Sequence, residues 1–192
     1  GEYDCNEIYC GDAADLLSRL PNNCIDLTVT SPPYDDLREY NGYVFDFETI
    51  ARHLYRVTKP GGIVVWVIGD KTENFCETLT SHRQALYFVD ECGFNMHDTM
   101  IYQVAGTGAK GSHYCYWQAF EYMYVLSKGK PKTVNRIRDK KNKYAGRKTG
   151  ANHKYTNINS RQKGNGYVTP KCSVRTNIWR YRVGNNGDDK TE

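Results

Sequence analysis

Apolar positions along the first 127 residues switch repeatedly between helical and extended spacing. Glu7-Ile8-Tyr9-Cys10 is short and β-leaning. Gly11-Asp12 then turns the chain into a helix from Ala13 to Leu20, with apolar positions 13, 16, 17 and 20 on one face. Pro21-Asn22-Asn23 stops that helix. Ile25 to Thr30 reads as a β-branched strand, and it must end at Ser31-Pro32-Pro33-Tyr34 because proline donates no ladder hydrogen bond. A second helix is expected from Phe47 to about Thr58, capped by Asp46, with 47, 50, 51, 54 and 57 on one stripe. After Lys59-Pro60-Gly61-Gly62, the run Ile63 to Ile68 is apolar without alternation, the pattern of a strand buried on both faces. A third helix, Leu79 to Cys92, turns Ala85, Leu86 and Val89 inward and stops at Gly93. Strands from Thr99 to Gln103 and from Phe120 to Ser127 are joined by a Gly-rich loop without a helix, hence an antiparallel hairpin at one sheet edge.

Strands alternating with helices predict an α/β fold, a parallel, doubly wound sheet carrying that hairpin. Past Gly129 the periodicity dissolves, returning weakly from Val174 to Val183. The expected organisation is an α/β region over 1–127, a second region over 128–182 and a tail over 183–192. With 192 residues and 39% apolar side chains, one globular domain with an embellishment can bury a core. A mean hydropathy of −0.72 and no apolar run near 18 residues argue against a membrane span. The start of the sequence has no basic stretch leading into an apolar one, so the expected location is cytoplasmic. Seven cysteines, none in a C-x-x-C, suggest reduced thiols rather than a disulfide framework, and no metal site is expected.

Charge divides the chain sharply. Between Lys128 and Arg182 stand ten lysines and seven arginines against one acid, Asp139, a net of +16, while the remaining residues carry −12. Such asymmetry suggests a nucleic-acid surface on an acidic body. The candidate contacts are Arg136, Arg138, Lys140, Lys141, Lys143, Arg147, Lys148, Arg161 and Lys163. A solvated basic loop would carry the same charge. The aromatics interleaved with it (Tyr144, Tyr155, Tyr167, Trp179, Tyr181) favour nucleic acid.

Ligands of open α/β sheets bind at the carboxyl ends of strands. Cys10-Gly11-Asp12 and Thr30-Ser31-Pro32-Pro33-Tyr34 are two such ends. Two prolines stiffen the second, so a serine hydroxyl and a carbonyl stand side by side and can accept both hydrogens of an exocyclic amine. Tyr34 offers a ring for a planar base. Asp12 opens a helix, where a carboxylate is stabilised by the dipole, or else faces a ligand. Asp70 is a loop carboxylate with pocket potential. Gly106-Thr107-Gly108 follows an edge strand with no helix after it, and is read as a loop rather than a phosphate cradle. His53, His82, His97 and His113 carry no pattern of their own, and no zinc-deaminase signature occurs.

The tetrapeptide Ser31-Pro32-Pro33-Tyr34 resembles the catalytic motif of the DNA amino-methyltransferases, Asp/Asn/Ser-Pro-Pro-Tyr/Phe/Trp. The likeness extends to IYCGDAADLLSRLPNNCIDLTVTSPPY, LYRVTKPGGIVVWVIGD and FEYMYVLSKGK, in the order of the family's beta type. It implies a Rossmann-like sheet and a restriction–modification enzyme that moves a methyl group from S-adenosylmethionine to N4 of cytosine or N6 of adenine. In that resemblance Ser31, Pro32, Pro33 and Tyr34 are catalytic, Asp12 meets the adenosyl part of the cofactor, and 128–182 is the target-recognition region. Serine at the first motif position leans toward N4-cytosine. No Pro-Cys dipeptide occurs, which argues against the cytosine-C5 enzymes and their thiolate.

One family signature, Asp-Pro-Phe-x-Gly-Ser-Gly, does not occur up to Glu192. The resemblance therefore implies a catalytic half in an incomplete sheet, with weak cofactor binding by itself. A missing C-terminal segment or a second chain would complete it. Rival readings are a non-catalytic DNA-binding remnant of such an enzyme and an amine methyltransferase acting on RNA or protein.

Overall fold

A computed structural model of the chain describes residues 3–33, 45–105, 115–149, 153–157, 160–163 and 167–182. Two compact units divide it: Gly1–Thr133 with Asn177–Glu192, and Val134–Thr176. The first unit runs through α1 (Ala13–Arg19), β1 (Ile25–Thr30), α2 (Phe47–Val57), β2 (Thr58–Ile68), a short hairpin β3 (Thr72–Glu73) and β4 (Cys76–Glu77), α3 (Thr80–Asp90), β5 (Asn95–Ala105) and β6 (Phe120–Ser127). The second holds β7 (Lys140–Lys141), β8 (Lys148–Thr149), β9 (His153–Asn157), β10 (Ser160–Lys163), β11 (Tyr167–Val168) and β12 (Cys172–Ser173), before β13 (Ile178–Arg182) returns to the first.

The five-stranded sheet has the order β1-β2-β6-β5-β13. β1 is parallel to β2, β6 is antiparallel to both β2 and β5, and β13 is parallel to β5. Four strands thus share one direction and β6 alone is reversed, so the fold is a mixed α/β sheet containing the expected antiparallel hairpin. The hairpin is not the sheet's edge: β13 pairs Ile178 to Arg182 with Ile101 to Ala105. β13, Ile178–Arg182, thus lies in the five-stranded sheet, and the second compact unit spans Val134–Thr176.

Apolar burial drives α2 and α3 onto one face. Ile50, Ala51 and Leu54 of α2 and Ala85 and Phe88 of α3 meet Val64, Trp66 and Ile68 of β2 and Tyr124 and Leu126 of β6. Asp46 caps α2 as expected, accepting from the Thr49 N–H at 3.1 Å. The opposite face of β2 (Ile63, Val65, Val67) is only half-buried, and its β1 neighbours Leu27 and Val29 are 58% and 63% exposed. The doubly wound arrangement and the doubly buried strand are therefore not found among the described residues. An apolar run marks a strand that can be buried on both faces, but covering the second face takes a further layer.

Two further expectations are corrected. Glu7–Cys10 forms no strand and Ile8 is 98% exposed, because no described strand lies alongside to complete its ladder. In α3 the inward stripe is Ser81, Gln84, Ala85 and Phe88, while Leu86 is 60% exposed. The polar members of that stripe are satisfied inside: Ser81 bonds Asp70 and Gln84 bonds Trp66. At the start of β2, Gly61 takes φ +80°, and a Cβ on Gly62 would sit 2.9 Å from the Lys59 carbonyl. The Lys59–Gly62 corner therefore requires glycine.

Candidate active site

β1 is a β-branched strand whose alternate side chains point to opposite faces. Thr28 and Thr30 pair with Val64 and Trp66, so they share the helix-covered face. Ser31, Pro32 and Pro33 follow at the carboxyl end of β1, with Ser31 exposed, Pro32 buried and Pro33 half-buried. All three line a cavity of about 950 Å³. Its other walls are Leu16 and Leu17 of α1, Thr28 and Thr30, Ile50 and Leu54 of α2, Trp66, and the segment holding Tyr3, Asp4, Glu7 and Tyr9. That size and a mainly apolar lining with a few polar groups suit a small organic ligand.

Each wall has a local cause. The Tyr9 hydroxyl accepts the Asp4 N–H at 2.6 Å and its ring meets Tyr3 edge-on at 4.7 Å, so the irregular N-terminal segment folds on itself. The buried Tyr3 hydroxyl has no hydrogen-bond partner among the described residues. α1 has no fully buried residue and is held from outside by Arg56 of α2, which donates to the carbonyls of Leu17 (2.7 Å), Ser18 (3.3 Å) and Leu20 (2.6 Å) and to Asn22 Oδ1 (2.9 Å). A guanidinium thus answers the orphan carbonyls at the end of a helix. Trp66 is fixed by its indole N–H donating to Gln84 Oε1 at 2.9 Å.

Asp12 is the N-cap of α1, its Oδ1 accepting from Asp15 N–H at 3.0 Å. Its neighbours Gly11 and Ala13 line the cavity. Asp70 lies at the same end of the sheet as Ser31 but turns to α3: its two oxygens accept from the Ser81 N–H (2.8 Å) and hydroxyl (2.5 Å). That remote cap serves a helix whose own N-cap, Leu79, sits at φ +58° without a side-chain bond. Burial, with Asp70 nearby, raises the pKa of the Tyr122 hydroxyl. Tyr34 and Gly106-Thr107-Gly108 lie outside the described residues.

In the second unit Arg136, Arg138, Lys140, Lys141, Lys143, Arg147 and Lys148 are all exposed. Arg161 and Lys163 stand in β10, with side chains outside the described set. Asp139, the unit's lone acid, is bound by the Arg175 guanidinium, which holds its carboxyl below the ordinary range. Sequence reading missed Arg56, Gln84 and Ser81. A basic residue near a neighbouring helix end and polar residues at i and i+3 inside a helical stripe were the available signals.

The mixed α/β sheet thus has one reversed strand, β6, and carries a proline corner at the carboxyl end of β1 beside a cavity. The PvuII DNA methyltransferase, a cytosine-N4-specific protein, has this fold, with a TM-score of 0.58 over 94% of this chain and 58% of its own at 17% identity. Residues 25–191 match the DNA methylase family model for N6 and N4 methyltransferases, and the chain belongs to that family. It is 55% identical over 161 residues to orphan methyltransferase M.BamHII of Bacillus amyloliquefaciens, covering 81% of this chain and 59% of that protein. Type II methyltransferase M.BglII of Bacillus subtilis is 39% identical over 70 residues, 33% of this chain and 19% of that one. The chain therefore spans about three fifths of the first relative's length.

Proposed function

We propose that this chain carries the catalytic and target-recognition parts of a restriction–modification DNA methyltransferase. It acts on an exocyclic base amine, N4 of cytosine in preference to N6 of adenine, in double-stranded DNA. The observation that carries the reading is the exposed Ser31 on a proline-stiffened corner directly beyond β1, on the wall of the 950 Å³ cavity. Family membership and the relatives' names support the same class.

The cavity residues fit S-adenosylmethionine. Leu16, Leu17, Ile50, Leu54 and Trp66 suit the adenine ring and thioether, while Asp4 and Glu7 suit an ammonium. When bound, that cofactor supplies an electrophilic methyl carbon. The chain's own residues prepare the nitrogen. The Ser31 hydroxyl and the Pro32 carbonyl would accept hydrogen bonds from the two amine N–H groups, drawing the lone pair out of ring conjugation. As the nitrogen takes the methyl group, the methyl–sulfur bond would break to leave a neutral thioether, and one amine proton would pass to solvent. Pro32 and Pro33 fix φ near −65°, so these acceptors need no reorganisation. Tyr34 stacks the base, which has left the duplex at a cost of about a few kcal/mol. Asp12, by capping α1, sets the Gly11 and Ala13 backbone at the cavity rim. The exposed cations of the second unit, with Arg161 and Lys163, neutralise phosphates. Serine at the first motif position supports cytosine.

The test is methyl incorporation from labelled S-adenosylmethionine into DNA by the native polypeptide. Ser31→Ala is expected to lose about 100-fold or more of the rate, with DNA affinity held within about tenfold. Undiminished incorporation in Ser31→Ala would overturn the reading.

A further inference from the structure

The second unit is a chain of antiparallel pairs. Lys140 and Lys141 face Ser173 and Cys172, and Lys148 and Thr149 face Val168 and Tyr167. Between these pairs six residues, 142–147, stand opposite three, 169–171. The surplus forms a projecting turn, and backbone bonds close both its ends. Asn142 N–H donates to Lys171 O (3.0 Å), Gly146 N–H to Thr169 O (2.8 Å), and Thr169 N–H to Arg147 O (3.0 Å). The Asn142 side-chain amide adds a bond to Pro170 O at 2.8 Å. Inside the turn Ala145 N–H donates to Asn142 O and Arg147 N–H to Tyr144 O. Gly146 takes φ +80° with open space around its Cβ position, so its glycine serves the backbone rather than packing.

This scaffold displays one aromatic ring beside two cations. Tyr144 is 57% exposed, with Lys143 Nζ 5.8 Å and Arg147 Cζ 5.7 Å from its ring centroid. The unit's only acid, Asp139, is engaged by Arg175. A hydrogen-bonded projection that holds a largely exposed ring beside two positive charges matches a polyanion from which a base can be unstacked. A two-stranded ribbon is moreover of a width that the DNA major groove admits.

From this geometry we infer that the 142–147 turn is a DNA-reading contact in which Lys143 and Arg147 each neutralise a phosphate and the Tyr144 ring stacks on a base or sugar between them. The inference rests on DNA being the substrate, and it separates two kinds of energy at one site. Phosphate contacts act through counterion release and set the salt slope, whereas stacking is indifferent to salt.

The experiment is fluorescence anisotropy of the native polypeptide on duplex DNA across a salt series. With Lys143→Gln and Arg147→Gln combined, the slope of log affinity against log salt should become shallower by about 1.8, at 0.9 per phosphate contact. Tyr144→Ala should weaken binding by about 5- to 100-fold at every salt with the slope unchanged, and Tyr144→Phe should restore it. An unaltered slope in the double variant, or affinity within about twofold in Tyr144→Ala, overturns the inference while steep salt dependence in the parent still supports DNA as substrate. If the parent itself fails to bind duplex DNA, both the DNA reading and this contact fall.

Discussion

The Arg56 guanidinium donates to the Leu17 carbonyl oxygen at 2.7 Å, joining α2 to the carboxyl end of α1. α1 buries no residue fully; Ala14 and Leu17 pack against the core, and this clamp adds a fixed carboxyl end to the wall that Leu16 and Leu17 give to the cavity. Position of the cavity wall, and not only its chemistry, thus depends on a residue outside the proposed acceptor corner.

Arg56→Lys keeps the charge but loses the planar fork that reaches five acceptors, His53 Nδ1 among them. It should cost about 1–3 kcal/mol in urea unfolding, with hydrogen exchange of α1 amides accelerating before the rest of the sheet. Unchanged exchange in α1 would show that the helix is held by other means.

Trp66 and Gln84 form a buried neutral pair. Gln84→Leu leaves the indole N–H without its acceptor and should destabilise by about 1–3 kcal/mol. Adding Trp66→Phe removes the orphaned donor, so the double variant should lose less than the sum of the two singles. Strict additivity in denaturant melts would contradict the pairing.

Hydrogen bonds from the Thr49 side chain and backbone N–H hold the Asp46 carboxyl below its ordinary range. A depressed carboxyl contributes stability that is present above its unfolded value and lost as pH falls through its folded value. Asp46→Asn retains a good cap without the titration. The variant should match the parent near neutral pH and lose less melting temperature on acidification. A parallel fall in both proteins would remove the linkage.

Burial pushes the Cys92 thiol pKa up, whereas Cys5, Cys10, Cys76 and Cys115 are exposed. Timed alkylation of the native protein, read by mass spectrometry, should label those four before Cys92, since the thiolate is the reactive species. Early labelling of Cys92 would mean that the α3 end opens readily.

Much of the architecture was legible because local and global signals agree: the stripe 47, 50, 51, 54 and 57 with its Asp46 cap is α2, and the run Phe120–Ser127 is β6. Errors arose where polar groups are paired inside. Leu86 looked like the inward residue of α3, yet Gln84 and Ser81 take that place because Trp66 and Asp70 satisfy them. Glu7–Cys10 has strand-like composition but no described neighbour to pair with, and composition cannot report a partner's position. β13 was visible only as a weak return of order, since its partner β5 lies more than 70 residues earlier in the chain and the 43 residues of the second unit intervene. At the candidate site the Ser31-Pro32-Pro33 corner was readable from proline chemistry alone, whereas the Arg56 clamp, a contact across 34 or more residues, was not.

The catalytic reading of this chain turns on an amine nitrogen being readied by two oxygen acceptors at the end of β1. Nucleoside mass spectrometry of duplex DNA treated with the native polypeptide and S-adenosylmethionine tests that directly. The account predicts N4-methylcytosine, lost in Ser31→Ala. Methylation on ring carbon, as 5-methylcytosine, or an exocyclic product that survives Ser31→Ala undiminished, would contradict it.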